Sequence, residues 1–445
     1  MKTPIYDFVK KYAESDVSRF HMPGHKGNGP LGIEQLDITE VEGADVLYSA
    51  DGIIAESENN ATKLFGTAHT YYSVEGSTLA IKAMLALACS ECKDGRPLIL
   101  AARNVHKAFI YAAALLDFDT KWVYPNEPTH LCTCILTAHD VESAILGADR
   151  VPTAVYLTSP DYLGMCADIE AISEVCKRHG VLLLVDNAHG AYLNFLPQSR
   201  HPIALGADLC CDSAHKTLPV LTGGAYLHIS KNADPEFLIL ARNTLAVFAS
   251  TSPSYLILES LDLCNKYISD GYREKLDKTV CKVEKIKKHL TECGVCVLDG
   301  EPLKITVSPR SVGYTGYELA DYLRDNNIEC EFADDEYIVL MVSTSNTDKD
   351  FDRLTRAFEK LSKKPPLNPC TPFEAEKHEC VMRVREAMFA PREVIPASLS
   401  EGRILASPTV SCPPAVPIVV SGEKITEADV KKFARYGITE VEVIK

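Results

Sequence analysis

A lysine that follows a buried strand and stands among hydroxyl and imidazole groups can attack an aldehyde. Lys216 has that setting: it ends the run DSAHK (212–216), directly after the apolar stretch ADLCC. An amine there can form an imine with an aldehyde cofactor, and Ser213 and His215 can donate hydrogen bonds to a phosphate. Upstream, VDNAHG (185–190) puts Asp186 just after the apolar run VLLL. A carboxylate in that position can keep a pyridine nitrogen protonated, which turns an aromatic ring into an electron sink. A third group is VEGSTLAIKAM (74–84), where a glycine and two hydroxyls open an apolar helix. First-turn amides together with Ser77 and Thr78 would cradle a phosphate. Each group taken singly has a plainer reading: a solvated lysine, an aspartate capping the next turn, an ordinary Ser/Thr N-cap.

These groups need a scaffold that brings strand ends together. Residues 60 to 250 alternate between two patterns. PLILA (97–101), TAVYLT (153–158), VLLLVD (181–186) and ADLCCDS (207–213) are apolar runs without polar alternation, as expected of strands covered on both faces. Between them lie amphipathic stretches such as DIEAISEVCKRHG (168–180), with Ile169, Ile172, Val175 and Cys176 at helical spacing and Gly180 as a stop. Strand, helix, strand in this order predicts an α/β fold with a mainly parallel sheet flanked by helices. Ligands of such sheets bind outside the carboxyl ends of the strands, where all three groups fall. The N-terminus reads as a short amphipathic helix with Ile5, Phe8, Val9 and Tyr12 on one side. Residues 254 to about 290 read as helical, a second α/β region follows near 293–362, and KKPPLNP (363–369) reads as a linker.

The order cradle, pyridinium carboxylate, imine lysine is that of fold-type I pyridoxal-phosphate enzymes. Moreover HMPGHKG (21–27), NVHKA (104–108), DNAHGAY (186–192), SAHKTLPVLTGGAYLH (213–228), TSPSY (251–255) and CPPAVPIVVSGE (412–423) resemble the successive signatures of the ornithine/lysine/arginine decarboxylase family. The length resembles its short forms, without an N-terminal wing domain. The resemblance implies four segments: an N-terminal arm (1–58), a cofactor-binding large domain (59–253), a small α/β domain (254–362) and a C-terminal decarboxylase-type domain (363–445). It implies that Lys216 is the Schiff-base lysine, that Asp186 pairs with the pyridine nitrogen and that His106 stacks on the ring, these three being the catalytic residues. Ser77, Thr78, Ser213 and His215 would hold the phosphate, and Ala188 and His189 would lie against the ring. Thr251 and Ser252 match a segment that approaches the phosphate across a dimer interface in related folds. Two positions depart from the family pattern: Asn187, where glutamate is usual, and Gly223, where many members have glutamine.

The expected reaction is pyridoxal-phosphate-dependent decarboxylation of a basic amino acid, releasing CO2 and an amine. Arginine going to agmatine is favoured, with lysine and ornithine left open. Two other readings stay open beside it. An aminotransferase would use the same lysine and aspartate, with Arg385, Arg392 or Arg403 holding the substrate carboxylate. A scaffold or regulator could have kept the fold alone. The expected partners are a small basic amino acid and a second copy of the chain, in a homodimer or a higher even oligomer.

Bulk composition narrows the rest. The 445 residues, 46% hydrophobic and 24% charged, suit a globular chain of two or three domains. A formal net charge of −15 argues against nucleic acid, which calls for clustered cations, and agrees with a cationic substrate. No apolar run is long enough to span a membrane and the N-terminus does not resemble a signal peptide, so a cytoplasmic location is expected. Sixteen cysteines include the spacings Cys89/Cys92 and Cys293/Cys296. These read as small hydrophobes rather than zinc ligands, and no metal is expected.

Overall fold

Runs of apolar residues without alternation can be strands only where both faces are covered, and the chain bears this out. The computed structural model describes residues 1–125, 130–370, 377–408 and 414–445, so Cys412 and Pro413 of the C-terminal motif lie outside the described residues. The strands are β1 (His69–Ser73), β2 (Leu98–Ala102), β3 (Asp119–Val123), β4 (Ala154–Thr158), β5 (Leu182–Asp186), β6 (Leu209–Asp212), β7 (Ala225–Ile229), β8 (Cys296–Val297), β9 (Lys304–Ser308), β10 (Phe332–Ala333), β11 (Ile338–Met341), β12 (Arg392–Pro396) and β13 (Glu440–Ile444). They are divided between two units, Met1–Lys93 with Ile169–Leu276 and Asp94–Asp168 with Asp277–Lys445.

In the first unit the strand order is β1-β7-β6-β5. β5 and β6 are parallel, with Val185 opposite Cys210 and Asp186 opposite Cys211. β7 is antiparallel to β6 on one side and to β1 on the other. A strand at 225–229 was not expected from the sequence, and it makes this part of the sheet mixed. Its cause is the LTGG turn: Gly224 N–H donates to the Leu221 carbonyl at 3.0 Å and reverses the chain. The helix Ile169–His179 buries the expected Ile169, Ile172, Val175 and Cys176, and Gly180 ends it at φ +65°. The N-terminal helix Pro4–Ala13 buries Ile5 and Val9, while Phe8 and Tyr12 stack at 6.4 Å, half-buried. Residues 254 to 290 are helical as expected, but as two helices, Tyr255–Ser269 and Tyr272–Glu292.

The helix Gly76–Ser90 is apolar nearly all round, with Leu79, Ile81, Met84, Leu85 and Leu87 buried, which fits a helix enclosed by its unit. It begins where Gly76 N–H donates to the Gly223 carbonyl at 2.7 Å. Gly223 sits at φ +101°, and a Cβ there would lie 3.0 Å from the Val74 carbonyl oxygen. The loop therefore needs glycine, and the glutamine expected here from the family resemblance would be strained on this backbone.

The second unit has β4-β2-β3 in order, all parallel, with Ala101 opposite both Tyr156 and Trp122. The region expected to be a second α/β domain holds an antiparallel sheet, β10-β11-β9-β8, with helices at Gly316–Asp325 and Asp348–Lys360. Cys296 falls on a strand as read from its alternation, but it is exposed rather than core. β12 and β13 pair antiparallel, and Leu405, Val419, Ile425, Phe433 and Val443 pack around them with Leu131.

Two outcomes follow from this packing. Gly223→Ala places an L-residue in strained backbone worth about 1–3 kcal/mol, so the urea midpoint falls with an unchanged m-value; an unaltered midpoint contradicts the loop geometry. The second concerns Glu259, buried on the helix Tyr255–Ser269. Burial first, then the nearby Asp262 and Asp37, raise its carboxyl from 4.5 to about 8. The folded chain thus holds this proton more tightly than the unfolded chain does. The stability it contributes is complete below the unfolded value and is lost as pH rises through the folded one. Unfolding free energy measured from about pH 5 to 8 should fall, and Glu259→Gln should flatten that slope.

Candidate active site

Because β1 and β6 each run antiparallel to β7, and β5 runs parallel to β6, three strands point the same way. Their carboxyl ends share one edge of the first unit. From that edge emerge the cradle after β1, the Asp186 loop after β5 and the Lys216 turn after β6.

Lys216 lies on the short helical turn Ala214–Thr217, one turn beyond the fully buried β6. Its Nζ is 3.1 Å from His189 Nε2, so the lysine from one strand end meets the imidazole from the next. Asp186 is 2% exposed, and its Oδ1 accepts from Ala188 N–H at 3.1 Å and from the Cys211 thiol at 3.6 Å. Burial, and then the carboxylates of Asp186 and Asp212, push the Cys211 thiol well above its ordinary value, so it stays a neutral donor. Ser213 Oγ donates to Ser77 Oγ at 2.8 Å, joining the turn after β6 to the cradle after β1. Thr78 follows Ser77 in the same first turn, half-buried. The N-cap residue of this helix, Glu75, makes no side-chain cap bond, and with Gly76 N–H given to the Gly223 carbonyl it is the next amides of the first turn that face a ligand's place. His215 Nδ1 donates to the Gly224 carbonyl at 3.0 Å, so only a doubly protonated ring could also donate from Nε2.

Thr251 is exposed; Ser252 N–H donates to Ser250 Oγ at 3.2 Å, and Ser250 N–H donates to Glu75 Oε1 at 2.6 Å. The segment is thereby tied, within one chain, to the residue that precedes the cradle. In the second unit His106 is the N-cap of the helix Lys107–Leu116, its Nδ1 accepting from Ala108 N–H at 3.1 Å. Lys107 N–H donates to the Ala415 carbonyl at 2.9 Å. Arg103, three residues before His106, is buried and donates to the carbonyls of Pro417 and Ile418, each at 2.9 Å, and to Glu423 at 3.3 Å. The C-terminal motif is thus clamped onto the loop that carries His106.

Sequence reasoning left one feature of this edge without a role. Asp212, the last residue of β6, is completely buried. Its carboxylate accepts from Asn187 Nδ2 at 2.7 Å, His201 Nε2 at 3.1 Å, His228 Nε2 at 3.0 Å and, at longer range, the Cys210 thiol. Burial alone would raise this carboxyl, but His201 and His228 overrule it and hold it well below the usual carboxylate range. Burial in turn lowers His228 against the opposing pull of Asp212, in keeping with a neutral ring that donates from Nε2. His201, Cys210 and Asp212 are close enough together to suggest a metal site. However, His201 Nδ1 accepts from Ile203 N–H, so Nε2 bears the proton and offers no lone pair. The group is a hydrogen-bonded anion. Its signal in the sequence was the aspartate closing an all-apolar strand, since a buried charge requires partners.

The residues present fit pyridoxal phosphate. An uncapped helix start with the Ser77–Ser213 hydroxyl pair suits a phosphate, a buried carboxylate suits a pyridinium, and an amine stands beside an imidazole. A family model for the major domain of Orn/Lys/Arg decarboxylases matches residues 3–308. An arginine decarboxylase of Bacillus subtilis is 29% identical over 462 residues, covering 96% of this chain and 92% of that protein. One from Halalkalibacterium halodurans is 29% identical over 468 residues, with the same coverage of 96% and 92%. The solved lysine decarboxylase of Francisella novicida superposes with a TM-score of 0.82 at 17% identity, covering 100% of this chain and 81% of its own. That likeness shows the fold, which is the fold-type I architecture expected from the motifs. With well over half its length matched by the family model, the chain belongs to the Orn/Lys/Arg decarboxylase family.

Proposed function

We propose that this chain decarboxylates a basic amino acid, arginine first, with pyridoxal phosphate held by Lys216. The observation that carries the reading is the shared edge: the Gly76 cradle, Asp186 and Lys216 all leave the carboxyl ends of co-directional strands. When bound, the cofactor supplies an electron sink for the pair left on Cα as CO2 departs. The protein supplies the rest. Lys216 presents its amine to the cofactor aldehyde, steadied by His189. Asp186, buried and given donors by Ala188 and Cys211, holds a proton on the pyridine nitrogen. By the family resemblance His106 would stack on the ring, and Ala188 and His189 would lie against it. Ser77, Thr78, Ser213 and His215 would bind the phosphate; by the family resemblance Thr251 and Ser252 would serve the phosphate of a second copy in a two-fold dimer, while Ser250 ties their segment to Glu75 of their own chain.

Arginine is preferred because the relatives from Bacillus subtilis and Halalkalibacterium halodurans, similar over nearly the whole chain, carry that activity in their names. The net charge of −15 would draw any of the three cationic substrates. The test is the purified chain with pyridoxal phosphate and arginine, lysine or ornithine, following CO2 and amine. Arginine should turn over fastest. Lys216→Ala should lose both turnover and the borohydride-sensitive absorbance of the bound cofactor. Asp186→Ala should keep the cofactor but lose on the order of 100-fold in rate, as when a preorganised charge is removed. Keto-acid formation without CO2 would identify an aminotransferase instead.

A further inference from the structure

The structure holds a connection between Asp186 and Lys216 that passes through neither residue's own chemistry. Asp186 closes β5 and Lys216 follows β6. The residue after Asp186 is Asn187, and the residue that closes β6 is Asp212. Asn187 Nδ2 donates to Asp212 Oδ1 at 2.7 Å, with both residues fully buried. Asn187 N–H donates to the Cys211 carbonyl at 2.9 Å, and its carbonyl accepts from Gly190 N–H at 2.8 Å. A Cβ on Gly190 would collide with Asn187 Oδ1, so the glycine of DNAHG clears space for this side chain.

The direction of the bond is fixed. The carboxylate of Asp212 is an acceptor, since His201 and His228 both donate to it from Nε2. Residue 187 must therefore donate. Asparagine does. The glutamate usual in the family would set a second carboxylate against a buried one, and one of the two would have to take a proton.

We propose that Asp212 is a positioning residue: with Asn187 it forms a polarity-matched bolt between the two strand ends that fixes Asp186 relative to Lys216. The roles of Asp186 and Lys216 rest on the proposed function; the bolt does not. Asp212 is fully buried behind the residues proposed to hold the cofactor, and it acts by holding the Asp186 loop through residue 187.

An isosteric exchange tests the bolt. Asn187→Asp and Asp212→Asn each break the pairing, while the double variant restores it with donor and acceptor reversed and the volume unchanged. Three readouts are taken on purified chains: the thermal midpoint without cofactor, the absorbance spectrum with pyridoxal phosphate bound, and kcat and KM separately. The midpoint should fall in Asn187→Asp and recover most of the loss in the double variant, as interacting sites do in a double-mutant cycle. In Asp212→Asn the bound-cofactor spectrum should shift, and kcat should fall about 10-fold or more with KM within about twofold, as for a positioning effect; the double variant should regain most of that rate.

If a single variant does not fold, a folded double variant is itself the expected rescue, and Asn187→Ala provides the lesser disruption. Asn187→Ala with wild-type kcat and spectrum overturns the proposal. So does a folded double variant no better than the worse single. Should the wild-type chain release no CO2 from any of the three amino acids, the proposed reaction fails, yet the midpoint and spectral coupling still decide the bolt.

Discussion

Asp212 carries a negative charge where no water reaches it, and much of the active-site edge is arranged to answer that charge. An unpaired buried carboxylate would cost several kcal/mol or give up its charge. Here it is surrounded by donors from four places: His201 from the preceding loop, His228 from β7, Asn187 from the end of β5 and Cys210 from β6 itself. Each donor is in turn fixed. His228 Nδ1 lies 2.9 Å from Thr70 Oγ1 on β1, and His201 Nδ1 accepts from the backbone. The network therefore touches every strand of the first unit's sheet, β1, β7, β6 and β5 in their spatial order. The next residue after Asp212 is Ser213, which reaches the cradle, and Lys216 follows within one turn. Rigidity at Asp212 is thus passed directly to the groups that would hold the cofactor.

Much of this was legible in the sequence, for an identifiable reason. Strands covered on both faces lose their alternation, so PLILA, TAVYLT, VLLLVD and ADLCC stood out. Lys216 and Asp186 stood out as polar residues after such runs, but each alone suited a plainer reading, and only their order along the chain with the cradle pointed to a cofactor site. The helix at 169–179 was legible because burial on one face enforces helical spacing. β7 was not, because AYLHI follows a turn that looked like part of the lysine motif, and nothing local states that a strand runs antiparallel. The Asp212 network was hidden for a different reason. Its members at 187, 201, 212 and 228 are far apart in sequence and meet only when β5, β6 and β7 pair in register. A histidine or an asparagine at those positions looks, residue by residue, like ordinary polar surface.

The two departures from the family pattern also acquire a physical meaning. Asn187 is the donor that a buried Asp212 demands. Gly223 adopts a backbone that a side chain would strain, and its carbonyl receives the amide that starts the cradle helix. Neither change weakens a group that the chemistry requires. Each is matched to something else in this chain.

A comparable logic links the second unit's distant motifs. NVHKA and the C-terminal PPAVPIVVSGE are separated by some three hundred residues, yet Arg103 binds the carbonyls of Pro417 and Ile418 and the Glu423 carboxylate. Glu423 accepts from Val420 N–H at 2.7 Å, so the same carboxylate that balances the buried guanidinium also shapes the motif's own turn. A guanidinium has five donors in a fixed plane and no acceptor, so it needs several oxygens from one direction when buried. A loop that turns its carbonyls inward supplies them, and prolines, which cannot donate, suit such a loop. The C-terminal motif thus holds the start of the helix that His106 caps, at Arg103 on one side and at Lys107 on the other.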